Sequence, residues 1–339
     1  MSSPSITAII LAYGVEPTLR DAVRAVLASD DVDVSVVVVD NGCTSDAIDQ
    51  VKNLPGVRVI TPPENTGYAG GTVVGAAEAS GEFIAFVNSD AIVAPPALRR
   101  LTAVAAEPAV GMAMGSIRLA SNPALMNTAG NPIHYVGLVW AGGFDEPAEQ
   151  HTQRRSVPSG SGCCFVMRHA LWQELDGFAP EYFAYHEDTE LSLRLWQRGL
   201  SAEYVPDAVV VHHYEFSRNE LKHYLLERNR LILLLTTYQT RSLMVLAPML
   251  LVTELAMLGA AVTGGWGRAK LRGWRWLWRN RRWLGERRGR LQRERTVPDS
   301  AIVPLLTARF DPNNVEAPRG VGVFNVIAGA YWRAARRLI

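Results

Sequence analysis

Apolar residues fall along this chain in two rhythms. Residues 6–12 (ITAIILA), 32–39 (VDVSVVVV) and 83–87 (FIAFV) are short, nearly unbroken apolar runs. Such runs predict strands buried on both faces, as in a parallel sheet. Between them, 17–28 and 46–54 carry helical spacing. Residues 57–60 read as a shorter strand closed by Pro62 and Pro63, and 70–79 as a helix of small residues. Strand and helix alternating at this spacing predict βαβ units and an α/β fold with a doubly wound parallel sheet. In such sheets ligands bind beyond the carboxyl ends of the strands. Further along, 97–106 is expected to be helix and 160–168 strand. A helical turn over 169–175 follows, then an amphipathic helix over 188–198 ended by Gly199. Residues 202–205 and 208–211 read as strands and 219–238 as a long helix. Residues 112–155 mix short strands and glycine-rich loops without a clear period.

The strand ends carry the candidate chemistry. Asp40 closes the second strand and is followed by Asn41 and Gly42; Asp90 follows the third in Asn88-Ser89-Asp90. Asp40 could accept hydrogen bonds from a base or ribose. Asp90 would offer the oxygen that hard divalent cations prefer, shared with substrate phosphates. The plainer reading of each is a turn or cap. Residues 65–71 (NTGYAGG) form a glycine-rich loop opening a helix, which permits close backbone approach to a ligand or is simply a turn. It lacks the Lys-Ser/Thr of a P-loop and the spacing of a dinucleotide fingerprint. Glu187 and Asp188 follow an aromatic stretch, 182–186 (YFAYH), at the start of a helix. One acid there is explained by capping; two beside aromatic faces that suit sugar rings point to a general base. His212 and His213 end a strand, where one could bind a metal or a phosphate.

Composition adds a large core and a charge asymmetry. The 339 residues are 48% hydrophobic, which excludes a disordered chain. Three cysteines, two of them adjacent, exclude a disulfide-stapled fold and suggest a reducing cytosol. The polar opening residues predict no secretory signal. The net charge is +1, yet residues 266–295 hold twelve Lys/Arg against two acids, a local +10 that leaves −9 elsewhere. Five of the nine tryptophans share that window. Just before it, 243–265 is almost uncharged and of marginal length for a membrane span. A single span would put the basic segment and the N-terminal domain on opposite sides; the positive-inside rule would hold the basic side in the cytosol, and the N-terminal domain would then be exported, for which no signal is expected. The expectation is therefore helices lying in or dipping into the cytosolic leaflet, with tryptophan at the headgroups and Lys/Arg on anionic lipid. A buried soluble helix with a solvated basic face is the alternative. Nucleic acid is not an expected partner, because that reading leaves the apolar run unexplained.

These motifs, in this order, resemble the inverting GT-A glycosyltransferases of family 2, in particular the bacterial rhamnosyltransferase-like and galactofuranosyltransferase-like branch. The resemblance runs from about residue 6 to 230 and includes 39–42, 65–71, 88–90, 160–168, Gly177-Phe178, 183–188 with Leu191 and Arg194, His212, and Arg228-Asn229. It implies a Rossmann-like GT-A fold. Residues 1–100 would be the nucleotide-sugar half, 101–215 the acceptor and catalytic half, and 216–339 a helical membrane-associating region. It implies that Asp188 is the catalytic base and that Glu187 orients the acceptor. Asp40, Asn65, Gly67, Gly71, Asn88 and Arg228 would bind the donor. Asp90 and His212 would bind Mg²⁺ or Mn²⁺. The implied donor is a nucleoside-diphosphate sugar, dTDP-rhamnose or a UDP-sugar. The implied acceptor is lipid-linked or a cell-envelope polysaccharide, at the cytoplasmic face of the cell membrane. The oligomer state stays open. Asn88 stands for the first Asp of a DXD motif, Thr72-Val73 for an Asn-rich pair, and Glu190 for an Asp. A sugar-nucleotidyltransferase would need a basic glycine-rich loop after the first strand, and 12–17 (AYGVEP) has none. A non-catalytic membrane-bound sugar-nucleotide binder would lack the base or the metal ligand.

Overall fold

The computed structural model describes residues 3–214, 220–312 and 320–339. Two compact units emerge: 1–131 with 141–192 and 200–215, and 132–140 with 193–199 and 216–339. The expected boundary between 215 and 216, and the expected helix start at Asn219, lie outside the described residues.

The strands run β1 (Ser5–Gly14), β2 (Asp33–Cys43), β3 (Val57–Ile60), β4 (Phe83–Val87), β5 (Ala91–Val93), β6 (Val110–Leu119), β7 (Asn122–Thr128), β8 (Ile133–His134), β9 (Arg155–Ser156), β10 (Cys164–Arg168), β11 (Ser201–His212) and β12 (Leu306–Thr307). All but β8 and β12 share one sheet in the first unit, with the path β3-β2-β1-β4-β10-β6-β11-β5. Residues from both expected halves, 1–100 and 101–215, build it. The apolar runs form its parallel centre, with Ile9 opposite Val37 on one side and Phe86 on the other. Every residue of β4 is buried. Helix α1 (Leu19–Leu27) buries Leu19, Ala22, Val23 and Val26, and α2 (Ala47–Val51) follows β2. Helix α3 (Gly67–Ala76) begins three residues earlier than expected. It lies close on the sheet: a Cβ on Gly75 would stand 2.7 Å from both Ile9 and Val39. Helices α4 (Ala97–Ala105) and α5 (His169–Glu174) cover further core.

The sheet is mixed rather than purely parallel. β10 runs antiparallel between β4 and β6, with Cys164 opposite Val87. The loop entering β10 therefore meets the carboxyl end of β4. The two expected strands near 205 are one strand, β11, irregular between Val205 and Val209. Its end, His212, pairs with Ala91 of β5, a strand too short to show in the pattern. Helix α6 (Glu187–Gln197) starts on Glu187, one residue before expectation.

The second unit is helical: α7 (Glu220–Thr237), α8 (Thr240–Thr263), α9 (Gly267–Arg279), α10 (Arg281–Glu294), α11 (Asp299–Ile302) and α12 (Val321–Ala335). Its core gathers Leu233, Leu234, Tyr238, Leu246, Met249, Ile302 and Trp332 around Tyr135. The Tyr135 and Trp332 rings stack at 4.6 Å.

Candidate active site

At the end of β2, Asp40 Oδ1 accepts the Cys43 amide at 2.9 Å and that of Gly42 at 3.3 Å. This is the cap role, and it leaves Oδ2 for other donors. Gly42, at φ +106°, has the Tyr13 ring as its neighbour, and Tyr13 is 59% exposed. An exposed aromatic ring thus stands next to the turn that follows Asp40.

Asn41, missed as a separate candidate, is the fastener. Its buried side chain gives Nδ2 to Asn65 Oδ1 (2.9 Å) and to the Gly67 carbonyl (3.2 Å), and takes the Thr66 amide on Oδ1 (3.1 Å). Asn65 Oδ1 also accepts the Gly67 amide at 2.8 Å. The glycine-rich loop is therefore tied to the end of β2. Its glycines make room: a Cβ at Gly71 would stand 2.3 Å from Leu11, and one at Gly67 (φ +71°) 2.3 Å from the Phe183 carbonyl oxygen. The Ala69 amide donates to that same oxygen at 2.9 Å. Thr72 turns its hydroxyl back to the carbonyls of Tyr68 and Ala69, so it serves its own helix.

The contact at Phe183 brings in the acidic helix start. Phe183, Tyr185 and His186 all have positive φ, between 64° and 71°. Strained non-glycine backbone of this kind collects at functional turns. The turn delivers Glu187 and Asp188 at the first residues of α6. Asp188 Oδ2 accepts the Gly162 amide at 2.9 Å, and Oδ1 accepts the Thr189 amide at 2.7 Å. Tyr68, also missed, donates its hydroxyl to the Gly162 carbonyl at 2.7 Å. Glu187 is only 6% exposed, and its Oε2 has no hydrogen-bond partner among the described residues. Burial, and then the charge of Asp188, push the Glu187 carboxyl well above the ordinary glutamate range. Burial also raises Asp188, against the pull of the Gly162 and Thr189 donors. Burial and the neighbouring charge both favour the protonated form of Glu187.

Asn88, Ser89 and Asp90 follow β4. The Asn88 amide donates to the Cys163 carbonyl at 2.9 Å, which ties this turn to the loop that grips Asp188. His212 Nε2 lies 3.1 Å from Asp90 Oδ1, and its Nδ1 lies 3.0 Å from Asn127 Oδ1. Asn127 gave no sequence signal, since its strand lacks a period. A carboxylate oxygen and an imidazole nitrogen placed side by side are a donor set that a divalent metal fits. Among the described residues no group of three or more metal-binding side chains forms; Asp90 and His212 would be the protein's share. Nearby, burial and then the charge of Asp90 raise the Glu16 carboxyl, against hydrogen bonds from the Tyr13 amide and from Ser89.

Asp40, Asn65, Gly67, Gly71, Asn88, Asp90, Glu187, Asp188 and His212 all belong to the first unit. Arg228 belongs to the second, where it is buried. It donates to Asn229 Oδ1 at 2.9 Å and lies over the Trp276 ring at 4.7 Å.

Residues 4–232 match the model of the family described as glycosyltransferase like family 2. The chain is 28% identical over 218 residues to an N-acetylglucosaminyltransferase of Sinorhizobium fredii, covering 61% of this chain and 52% of that one. It is 26% identical over 232 residues to an N-acetylglucosaminyl-diphospho-decaprenol L-rhamnosyltransferase of Mycobacterium tuberculosis, covering 60% and 75%. It spans about half the length of the N-acetylglucosaminyltransferases it matches. Among solved structures, a mannosyltransferase of Pyrobaculum calidifontis in complex with GDP-Man and Mn²⁺ superposes with TM-score 0.53 and 18% identity, over 86% of each chain. GalNAc-T7 with UDP, GalNAc and Mn²⁺ superposes with TM-score 0.55 and 16% identity, over 69% of this chain and 48% of that one.

Proposed function

The chain belongs to glycosyltransferase-like family 2, and on that premise we propose an inverting, metal-dependent transfer from a nucleoside-diphosphate sugar to a lipid-linked or cell-envelope glycan. The observation that carries the proposal is the acid pair at the start of α6. Asp188 is held by Gly162 and Thr189 beside a buried Glu187 whose Oε2 has no partner among the described residues.

In this reading Asp188 is the general base. Fixed by two backbone amides, its carboxylate removes the proton from the acceptor hydroxyl while that oxygen attacks the anomeric carbon. Its raised pKa makes it a better proton acceptor than a solvated aspartate. A single displacement forms the new glycosidic bond, breaks the bond to the nucleoside diphosphate and inverts the anomeric carbon. Glu187 uses Oε2 to hold the acceptor. Asp40, with Tyr13 beside it, takes the nucleobase, and the loop from Asn65 to Gly71 gives the donor close backbone approach. Mg²⁺ or Mn²⁺ on Asp90 and His212 would offset the charge that builds on the departing diphosphate. The donor is dTDP-rhamnose or a UDP-sugar. The diphospho-decaprenol acceptor in the name of the mycobacterial relative supports a lipid-linked acceptor, and the proposed reaction lies at the cytoplasmic membrane face.

The test is Asp188→Asn. Thermal stabilisation by UDP or dTDP with Mn²⁺ should persist while transfer falls by about 10³-fold or more. Transfer within tenfold of wild type, or lost nucleotide binding in a folded variant, refutes the base assignment.

A further inference from the structure

The second unit contains a helix turned inside out. Among the described residues α8 is the one helix long and apolar enough to cross a membrane. Away from its ends, its polar side chains Ser242, Thr253 and Glu254 face inward. Ser242 donates to Asp299 at 2.5 Å. Glu254 lies 2.9 Å from Lys270 of α9, pairs with Arg230 of α7, and accepts the Trp274 indole at 2.9 Å. Ser242, Leu246, Met249, Thr253 and Ala261 are buried. Between residues 244 and 262 the opposite side is apolar. Met244, Leu251, Leu255 and Val262 are 66, 62, 60 and 68% exposed. Their spacing of 7, 4 and 7 residues sets them in one straight stripe along the helix. Helix α12 packs on α8, with the Tyr331 hydroxyl on the Val245 carbonyl at 2.5 Å, and exposes Val323, Val326 and Ile327 in turn.

An apolar surface of this kind marks an interaction site. Charge identifies what fits it. Exposed Arg241 stands at the start of the α8 stripe, exposed Arg268 just beyond its end, and exposed Arg333, Arg336 and Arg337 follow the apolar part of α12. Exposed Trp278 carries Arg281 over its ring at 5.2 Å. Apolar stripe, flanking arginines and tryptophan are the signature of an interfacial helix on anionic lipid. A spanning α8 conflicts with both ends. It would set cations on both sides of the bilayer, against the positive-inside bias. Through the Glu254 pairs it would also draw α9, with exposed Arg272, Arg275 and Arg279, into hydrocarbon, where charged side chains are strongly disfavoured.

We propose that the exposed faces of α8 and α12 form a half-embedded platform lying in the plane of an anionic bilayer surface. The proposal deepens the membrane-associated reading above and rests on it, but not on the chemistry assigned to the first unit.

The experiment uses the full chain in a Cys43→Ser background. Single variants Met244→Cys, Leu251→Cys, Leu255→Cys and Val262→Cys carry an environment-sensitive fluorophore. Each is mixed with phosphatidylcholine vesicles, with or without phosphatidylglycerol, containing lipids spin-labelled at shallow or deep acyl positions. In-plane binding predicts that all four fluorophores, which span about 27 Å of helix, are quenched equally by the shallow label and only with phosphatidylglycerol present. A gradient, with the two central positions quenched by the deep label, means a spanning helix and overturns the proposal. So does no quenching, or shielding of all four positions by a second copy before vesicles are added. Leu251→Ser with Leu255→Ser should lower vesicle flotation about tenfold or more. Its thermal shift with UDP and Mn²⁺ should stay at the wild-type value, which reads the donor site separately.

Discussion

Gly67→Ala tests whether the glycine-rich loop and the acidic helix start form one assembly. Gly67 has φ +71°, and a Cβ there would stand 2.3 Å from the Phe183 carbonyl oxygen and 2.5 Å from its ring. Two costs arise. The left-handed backbone costs an L-residue about 1–2 kcal/mol. The overlap forces the turn at Phe183 away by roughly 1 Å, which breaks the Ala69–Phe183 hydrogen bond (2.9 Å) at about 1 kcal/mol and adds packing loss of about 1–2 kcal/mol. Gly14→Ala is the control, since Gly14 has φ +72° with nothing within 4 Å of its Cβ position. It should show the backbone cost alone, a Tm drop of about 2–6 °C in a domain of this size. Gly67→Ala should drop Tm by about 6–15 °C. Because the turn at Phe183 leads directly into Glu187 and Asp188, kcat should fall about 10²-fold as the base moves by an ångström. The assay is calorimetric Tm beside turnover of a nucleotide sugar. Equal Tm losses in the two variants, or wild-type kcat in Gly67→Ala, would refute the assembly.

Three further outcomes follow from the same geometry. Glu187 has a folded-state pKa above its ordinary 4.5, so the native state holds its proton where the unfolded state has lost it. Its contribution to stability therefore falls as pH rises from about 4.5 through the raised value. Glu187→Gln removes that loss, so its Tm relative to wild type should improve from pH 4.5 to pH 8; a pH-independent difference contradicts the assignment. In the second unit Glu227 pairs with Arg230 and Lys270, both almost fully buried. Glu227→Ala should cost about 3–5 kcal/mol in urea unfolding, and Glu227→Met with Lys270→Met should recover most of it, whereas equal losses in both would show that packing alone decides. His212→Ala and Asp90→Asn should raise the Mn²⁺ concentration needed for UDP-induced stabilisation about tenfold or more, as read by thermal shift; an unchanged requirement places the metal elsewhere.

The central sheet was legible because parallel strands buried on both faces need unbroken apolar runs, and 6–12, 32–39 and 83–87 are such runs. Strand direction was not. Nothing in 160–168 says that β10 inserts antiparallel, yet that reversal brings the Gly162 amide to Asp188. The motifs around Asp40, Asn65 and Asp188 were visible as local patterns. Their fasteners were not, because Asn41, Tyr68 and Asn127 act across 24 to 94 residues of sequence, and no local period encodes such contacts. Helix α8 shows a different limit. Its apolar residues surround the helix, so periodicity is lost, and only three-dimensional packing reveals that Ser242, Thr253 and Glu254 face inward.

The electrostatics of the candidate site bear on one departure from the pattern, Asn88. Glu16, Asp40, Asp90, Glu187 and Asp188 gather in a first unit from which the basic segment, residues 266–295, is absent. A nucleoside diphosphate would bring two or more further negative charges. Each carboxylate left ionised there weakens donor binding. Burial moves both Glu187 and Glu16 toward the protonated form, which lessens this. Asn88 avoids it by being neutral, in a position where a second aspartate would add charge beside Asp90. In the proposed site the substitution would weaken metal coordination from that residue, and His212, 3.1 Å from Asp90 and 3.0 Å from Asn127, would supply a nitrogen instead. One anionic and one neutral ligand leave a bound divalent ion with net positive charge, which is the condition for it to neutralise a leaving diphosphate rather than the protein's own acids.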